Sequence, residues 1–392
     1  MVSFNPADPT FLANPFPFYA MGRPLGPLKM GPGGFWSVFA YEQCASILRD
    51  HETWSSEREF APDGSLTPPR TMLGADPPVH SRLRGLVSQA FTPRMVEQLT
   101  PRIEAIAEEL LDAVAGERTI DFIEALAYPL PVIVIAEILG VPAEDRDSFK
   151  RWSDDVVANL GGGLSDSGSN RPPPEQSLNE MAAYFTKMAD ERRRQPQNDL
   201  LSGLVAAELE GSRLSAEELQ AMLVLLLVAG NETTTNLIGN AAIELMNHPA
   251  ELARLRAEPS LLTPALEEVL RFSSPVQATA RRALRDATIG TTAIPAGEFA
   301  ITWLGAANRD PEVFPEPDRF DITRTPNRHL GFGQGVHFFL GAPLARLEAK
   351  VALEAFLRRT AWFERTDDAL LPRVPTFIMR GVRSLPMHIT PA

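Results

Sequence analysis

Apolar residues recur at three- and four-residue spacing over most of the chain, the period of helices that bury one face. This spacing predicts helices over Pro101–Ala115, Leu130–Leu139, Ser177–Arg194 and Leu262–Phe272. Strand-like runs are few: FWSVF at Phe35–Phe39, then short alternating segments in RRALRDATIG ahead of the turn-like IPAGE. The longest helix opens on a capping box, Ser215 and Glu218, whose side chains satisfy free backbone amides reciprocally, and runs to about Asn247, where His248-Pro249 stops it. Met222–Val228 is apolar all round, as in a helix that crosses an interior, and Gly230, Asn231, Glu232, Thr233 and Thr234 then put polar groups inside it. Buried polar groups need partners or a purpose. A glycine there costs about 1 kcal/mol relative to alanine, and Ser or Thr beside it can open a local kink. Either something is accommodated next to Gly230 or the glycine lets another helix approach.

Two stretches lack periodicity. Gly161–Glu175, rich in Gly, Ser and Pro, predicts a flexible connection between helices, and Asn308–His329, interrupted by prolines, predicts extended coil packed on the body. With no repeats and no clean linker, the pattern predicts a mainly α protein with small β-sheets. We expect one domain over 1–392, with a β-containing N-terminal part to about residue 70 and a helix-rich remainder.

Composition changes this picture little. The 392 residues are 44% hydrophobic and 22% charged, enough for a substantial core. A net charge of −13 argues against a nucleic-acid partner, which would need clustered Lys and Arg. The proline-broken start, MVSFNPADPTFLANPFPFYAMG, has neither a basic lead with an apolar core nor a membrane-spanning run, so we expect a cytoplasmic protein with no membrane partner. The single cysteine, Cys44, excludes a disulfide within the chain and any multi-cysteine metal site. In YEQCASILRD it falls on a short amphipathic helix, where a small half-buried core residue is the expectation.

Four separated segments, in order, make the chain resemble the soluble bacterial cytochromes P450 over nearly its whole length. In DPPVHSRLRGLVSQAFTPR (Asp76–Arg94), His80 and Arg84 match residues that bind haem propionates, and two cations facing two carboxylates suit that role. Ala229–Thr234 matches the oxygen-activation segment, in which an acid and an adjacent alcohol, here Glu232 and Thr233, relay protons. Glu268 and Arg271 match a fold-locking pair that the resemblance completes with Arg319 of PEPDRF. Arg281 aligns with a further propionate ligand, Arg282 being the alternative register. HLGFGQGVHFFLG (His329–Gly341) matches the haem-binding loop at Phe332, Gly333, Gly335, His337 and Gly341, and the resemblance gives His337 to a propionate. Leu225, Ala229, Val276 and Ile378 fall in segments that line substrate pockets in the family.

The cysteine expected two residues after His337 is Phe339. In the family that thiolate pushes electron density into iron and favours O–O cleavage. A phenyl ring has no donor atom, and an apolar contact at about 3.5–4.0 Å cannot take the place of a metal–sulfur bond of about 2.3 Å. The resemblance thus leaves the metal position without its usual protein ligand, iron ligation by His337 being the alternative. The resemblance implies haem b held by its propionates and apolar faces, or a haem-free state with another anion or water at those cations. Three functions follow from it: a P450-fold protein with a small hydrophobic metabolite pocket and lost or redirected monooxygenase activity, a non-catalytic helper of a natural-product enzyme, or a variant of a monooxygenase whose parent has cysteine at 339. Glu232 and Thr233 could then serve acid–base chemistry without oxygen. A ferredoxin-type electron donor is the partner implied if redox activity remains.

Overall fold

The computed structural model describes residues 8–30, 34–57, 71–146, 148–152, 155 and 174–392. They form two compact units: residues 1–55, 101–130 and 233–392, and residues 56–100 and 131–232. The division falls inside the long helix, Ala216–Asn247, between Glu232 and Thr233.

The predicted helices are present as Thr100–Ala113, Pro129–Ile138, Pro174–Arg194 and Leu262–Phe272. The Gly161–Glu175 connection lies outside the described residues up to 173; Pro174 already begins a helix. The capping box is made as predicted: Glu218 N–H donates to Ser215 Oγ (3.1 Å) and Ser215 N–H to Glu218 Oε2 (2.9 Å). The helix then continues unbroken to Asn247, so the polar residues after Gly230 do not interrupt it. By length and composition it could cross a membrane, but more than half of its most apolar window is buried inside the fold, which marks a core helix.

In the first unit a five-stranded sheet collects short strands from distant parts of the chain. Their order is Leu28–Lys29, Trp36–Val38, Phe299–Trp303, Ala278–Ala283 and Trp54–Ser55, and Trp36–Val38 pairs parallel to Phe299–Trp303. Thr119–Asp121, Pro386–Pro391 and Thr360–Arg365 make a three-stranded sheet, and Ala287–Ile289 with Thr292–Ile294 a hairpin. One face of the large sheet packs on Tyr41–Arg49, burying Cys44, Ile47 and Leu48 with Ala283, Ala300 and Phe314. The other packs Trp303 among Phe11, Tyr19 and Phe39. Asn308–His329 is coil, as its prolines predict, apart from the last helical residues' turn.

The second unit is helical. Glycines let Val79–Ala90 and Leu200–Ala206 approach closely, since a Cβ on Gly203 would lie 2.9 Å from that of Ala90. Asp199 caps the latter helix through Ser202 N–H (2.7 Å) and pairs with buried Arg192 (2.6 Å).

Candidate functional site

The polar stretch of the long helix is built for more than packing. A Cβ on Gly230 would meet no atom of a described residue within 4 Å, whereas one on Gly239, two turns on, would lie 2.8 Å from Ile123 Cδ1. Gly239 is the packing glycine, whereas no described residue packs where a side chain on Gly230 would begin. Glu232, two residues further, is mostly buried, and burial raises its carboxyl to about 7. Thr233 beside it is half-buried. Leu225, a turn and more earlier, is half-buried, while the side chain of Ala229 lies outside the described residues.

In the first unit the same helix meets the one that follows the loop of residues 331–341. Thr234 hydrogen-bonds the carboxyl of Glu348, which sits in the helix Ala342–Arg359 and is 2% exposed. Burial raises that carboxyl to about 8 against the opposing hydrogen bond. Glu348 gave no signal in the sequence, because nothing in ARLEAK marks one glutamate as inward-facing.

Of the expected propionate ligands, His80 and Arg84 share one face of Val79–Ala90, four residues apart. His80 is 2% exposed; burial lowers the pKa of Arg84. Arg281 is the inward arginine of its strand, 7% exposed, and Arg282 is only partly buried, so strand alternation favours Arg281. Nη1 of Arg281 reaches Thr279 Oγ1 (3.1 Å) and the Ala280 carbonyl (2.8 Å). His337 ends a short 3₁₀ turn, Gly335–His337, and is half-buried.

The loop around that turn is closed by its own backbone. Gly333 N–H donates to Leu330 O (2.8 Å) and Phe339 N–H to Phe332 O (3.0 Å). Gly335 adopts φ +71°, and a Cβ there would lie 2.5 Å from Leu48 O, so only glycine serves. The Phe339 ring stacks on Phe332, with centroids 5.8 Å apart and planes 12° apart, and leans toward Gly341, where a Cβ would meet it at 2.8 Å. Phe332 in turn carries the guanidinium of Arg346 at 4.5 Å. Arg346 forks onto Glu267 (2.6 and 2.9 Å), and His329 Nε2 bonds the same carboxylate (3.0 Å). Because Gly331 N–H donates to His329 Nδ1 (3.1 Å), the proton sits on Nε2. Burial alone would raise the Glu267 pKa, but the hydrogen bonds from Arg346 and His329 hold it down to about 2. This Glu267–His329–Arg346 brace was not anticipated from the sequence.

The fold lock is present with one correction. Arg271 and Glu268, both fully buried, form a bidentate pair at 2.8 Å on each arm. Arg271 also donates to the carbonyls of Asn308, Pro317 and Arg319. Arg319 therefore enters only through its backbone: its side chain is 55% exposed and pairs with Glu316 (3.2 Å) and Asp321 (3.9 Å). The second cation on Glu268 is Arg324 (3.2 Å, 10% exposed), with Asp321 N–H (3.0 Å) and Asn327 Nδ2 (3.2 Å) completing the shell. PEPDRF turns so that its backbone faces the pair, and the arginine five residues later reaches it.

Val276 and Ile378 come together. Val276 bridges Met379, and Gln277 N–H donates to Ile378 O (2.7 Å). Ile378 is 38% exposed. Cys44 is a core residue as expected but fully rather than half-buried, and it points its thiol at Val38 O (3.2 Å).

Residues 174–384 match the family model "Cytochrome P450". Members of that family normally bind haem. The chain is 41% identical over 395 residues to "Cytochrome P450 monooxygenase PikC" of Streptomyces venezuelae, covering 96% of this chain and 92% of that protein. It is 39% identical over 414 residues to "Polyketide biosynthesis cytochrome P450 PksS" of Bacillus subtilis, covering 99% and 98%. Among solved structures, cytochrome P450 CYP109Q5 from Chondromyces apiculatus matches at TM-score 0.90 and 42% identity, with all of both chains covered. In sequence and in fold alike, this chain belongs to the cytochrome P450 family.

Proposed function

We propose that this is a P450-family protein with a pocket for a small hydrophobic metabolite, in which Phe339 stands where the family carries its axial cysteine and monooxygenase activity is lost or redirected. One observation carries the reading: the residue two places after His337 offers only carbon, its ring laid on Phe332 and against Gly341. The chain's one thiol, Cys44, is buried and engaged with Val38 O.

Tested against haem, the residues divide. His80, Arg84, Arg281 and His337 have the chemistry of propionate ligands, cations or cation-forming groups that suit carboxylates. We therefore favour haem b held by propionates and apolar faces over a haem-free state. Phe339 has no donor atom and Cys44 is engaged with Val38 O, so neither would supply a thiolate to a bound haem. When bound, haem would supply the family's redox chemistry, and Phe339 would not add the electron density that a thiolate gives.

What the chain itself offers is acid–base capacity. Glu232, at about 7, can hold or release a proton near neutrality, with Thr233 adjacent and no described residue packed where a side chain on Gly230 would begin. This favours non-redox chemistry on a bound metabolite as a second reading. Relatives named for polyketide biosynthesis and monooxygenation support a natural-product substrate; a cytoplasmic setting and, should redox activity persist, a ferredoxin-type donor are part of the same proposal.

The test is a visible spectrum of the purified protein, reduced and exposed to carbon monoxide. We expect no thiolate-type long-wavelength band, and its appearance in Phe339→Cys. That band in the unmodified protein, or efficient hydroxylation by it, overturns the proposal.

A further inference from the structure

Past Thr233, the long helix carries a polar residue at every fourth position on one face: Asn236, Asn240 and Glu244 are 3%, 1% and 7% exposed. Buried amides and carboxyls need partners, and the partners show what this face holds. The side-chain nitrogen of Asn240 donates one hydrogen to Ser273 O (2.8 Å) and the other to Arg380 O (3.0 Å). One turn on, Glu244 Oε1 accepts from Ser273 Oγ (2.7 Å). One turn back, Asn236 lies against Gly381, where a Cβ would be 1.6 Å from Asn236 Oδ1, so only glycine lets the two segments approach this closely.

Both carbonyls belong to a short ladder within the same unit. Val276 bridges Met379, Gln277 N–H donates to Ile378 O (2.7 Å) and Arg380 N–H to Pro275 O (2.8 Å). A pair of arms this short has little stability of its own. Away from the long helix it is tied by Gly305 N–H to Gln277 O (3.1 Å) and by the Tyr19 hydroxyl to Gln277 Oε1 (3.0 Å), both on one arm. Asn240 holds both arms at once, because Ser273 leads into the first and Arg380 lies in the second. Val276 and Ile378, the residues expected in the pocket wall, ride on these two arms.

We infer that Asn240 is a positioning residue of the pocket. It acts through the ladder, fixing both arms against the long helix, and so sets the length of apolar body that the wall carrying Val276 and Ile378 accepts. This inference rests on the proposed metabolite pocket. In a fitted apolar pocket one methylene more or less changes discrimination roughly tenfold or more. A ladder released by the loss of two buried bonds therefore shows as a changed preference for ligand length, not as a uniform loss of binding.

Asn240→Leu keeps the side chain's size and removes both donors. Ile238→Ala is the control: Ile238 is fully buried about 200° round the same helix, so the change removes core packing from another face. In hydrogen exchange of the full chain, the Gln277 and Arg380 amides of Asn240→Leu should exchange about tenfold or more faster relative to the amides of Phe299–Trp303, and those of Ile238→Ala should not. Calorimetric titration with hexanol, octanol and decanol should show the ratio of the hexanol Kd to the decanol Kd raised about tenfold or more in Asn240→Leu and unchanged in Ile238→Ala. Gly381→Ala, which presses the same ladder away from Asn236 with Asn240 intact, should move the ratio in the same direction and decides the matter if Asn240→Leu does not fold. Ladder amides no faster than the reference, or alcohols that bind with an unchanged or lowered ratio, overturn the inference and leave the pocket standing. No saturable binding of any of the three alcohols to the unmodified protein overturns the pocket and this inference with it.

Discussion

Replacing Arg324 and Arg319 separately by alanine distinguishes the lock that the structure builds from the one that the motif implies. Arg324→Ala removes a cation 3.2 Å from a fully buried carboxylate, together with hydrogen bonds to the carbonyls of Pro315 (2.8 Å), Arg319 (3.0 Å) and Glu316 (3.2 Å). A hydrogen bond to a charged group contributes roughly 1.5–3 kcal/mol, and leaving carbonyls to water recovers much of the rest. Glu268 keeps Arg271, Asp321 N–H and Asn327, so the loss stays below the roughly 3–5 kcal/mol of a fully broken buried pair. We expect about 2–3 kcal/mol. Arg319→Ala deletes only a side chain 55% exposed, whose ion pairs with Glu316 and Asp321 are worth about 0–1 kcal/mol, while its carbonyl still serves Arg271. Urea unfolding followed by circular dichroism should show the midpoint falling clearly for Arg324→Ala and hardly for Arg319→Ala, at unchanged slope. Equal losses, or the larger loss for Arg319→Ala, would refute the assignment.

Glu267 and Glu232 should respond to pH in opposite senses. The folded pKa of Glu267, about 2, lies below the ordinary value of 4.5, so its contribution is present above pH 4.5 and lost as pH falls toward 2. Glu267→Gln should cost about 2–3 kcal/mol at pH 7 and little near pH 2, read from urea midpoints; a pH-independent cost would sink the brace. Glu232, raised to about 7, penalises the folded state once it ionises, so its penalty is absent below pH 4.5 and complete above 7. Glu232→Gln should be close to neutral at pH 4 and stabilising by about 2–3 kcal/mol at pH 8, and an infrared carboxylic-acid band that titrates near 7 should vanish with it. Because Glu348, raised to about 8, gives such a band of its own, the readout is the difference between the unmodified protein and Glu232→Gln, and no difference at pH 5 would remove Glu232 from any acid–base role.

The helices were legible because a buried stripe repeats with the helical period, and Leu262–Phe272 and the Ser215–Glu218 cap came out at their predicted residues. The sheet was half legible. Trp36–Val38 reads as a strand, but nothing local tells that its parallel partner is Phe299–Trp303, some 260 residues on, because pairing is set by packing of the whole body. Site residues carried by a motif were legible as positions, and their neighbours were not. Arg324 and Arg319 are the same residue type five apart in coil, so only the path of the backbone decides which reaches Glu268. His329 and Arg346 converge on Glu267 across 62 and 79 residues, a separation that no periodicity spans.

These long-range contacts bear on what Phe339 does to the molecule. The loop that would carry an axial ligand is anchored at Leu330, whose N–H donates to Asn308 Oδ1 (2.6 Å), and Asn308 O in turn accepts from Arg271 of the lock. Its middle is pinned by Gly335 against Leu48 O, and its aromatic wall by Arg346 on Phe332, held by Glu267. None of these restraints uses the side chain at 339, which contributes a ring stacked on Phe332 and a backbone N–H that any residue would supply. If Phe339 stands at the ligand position, as proposed, fold and iron chemistry are separable there. A smaller side chain there loses apolar contact with Phe332 and leaves the anchors in place, so a sulfur introduced at 339 meets a loop already shaped by Asn308, Leu48 and Glu267.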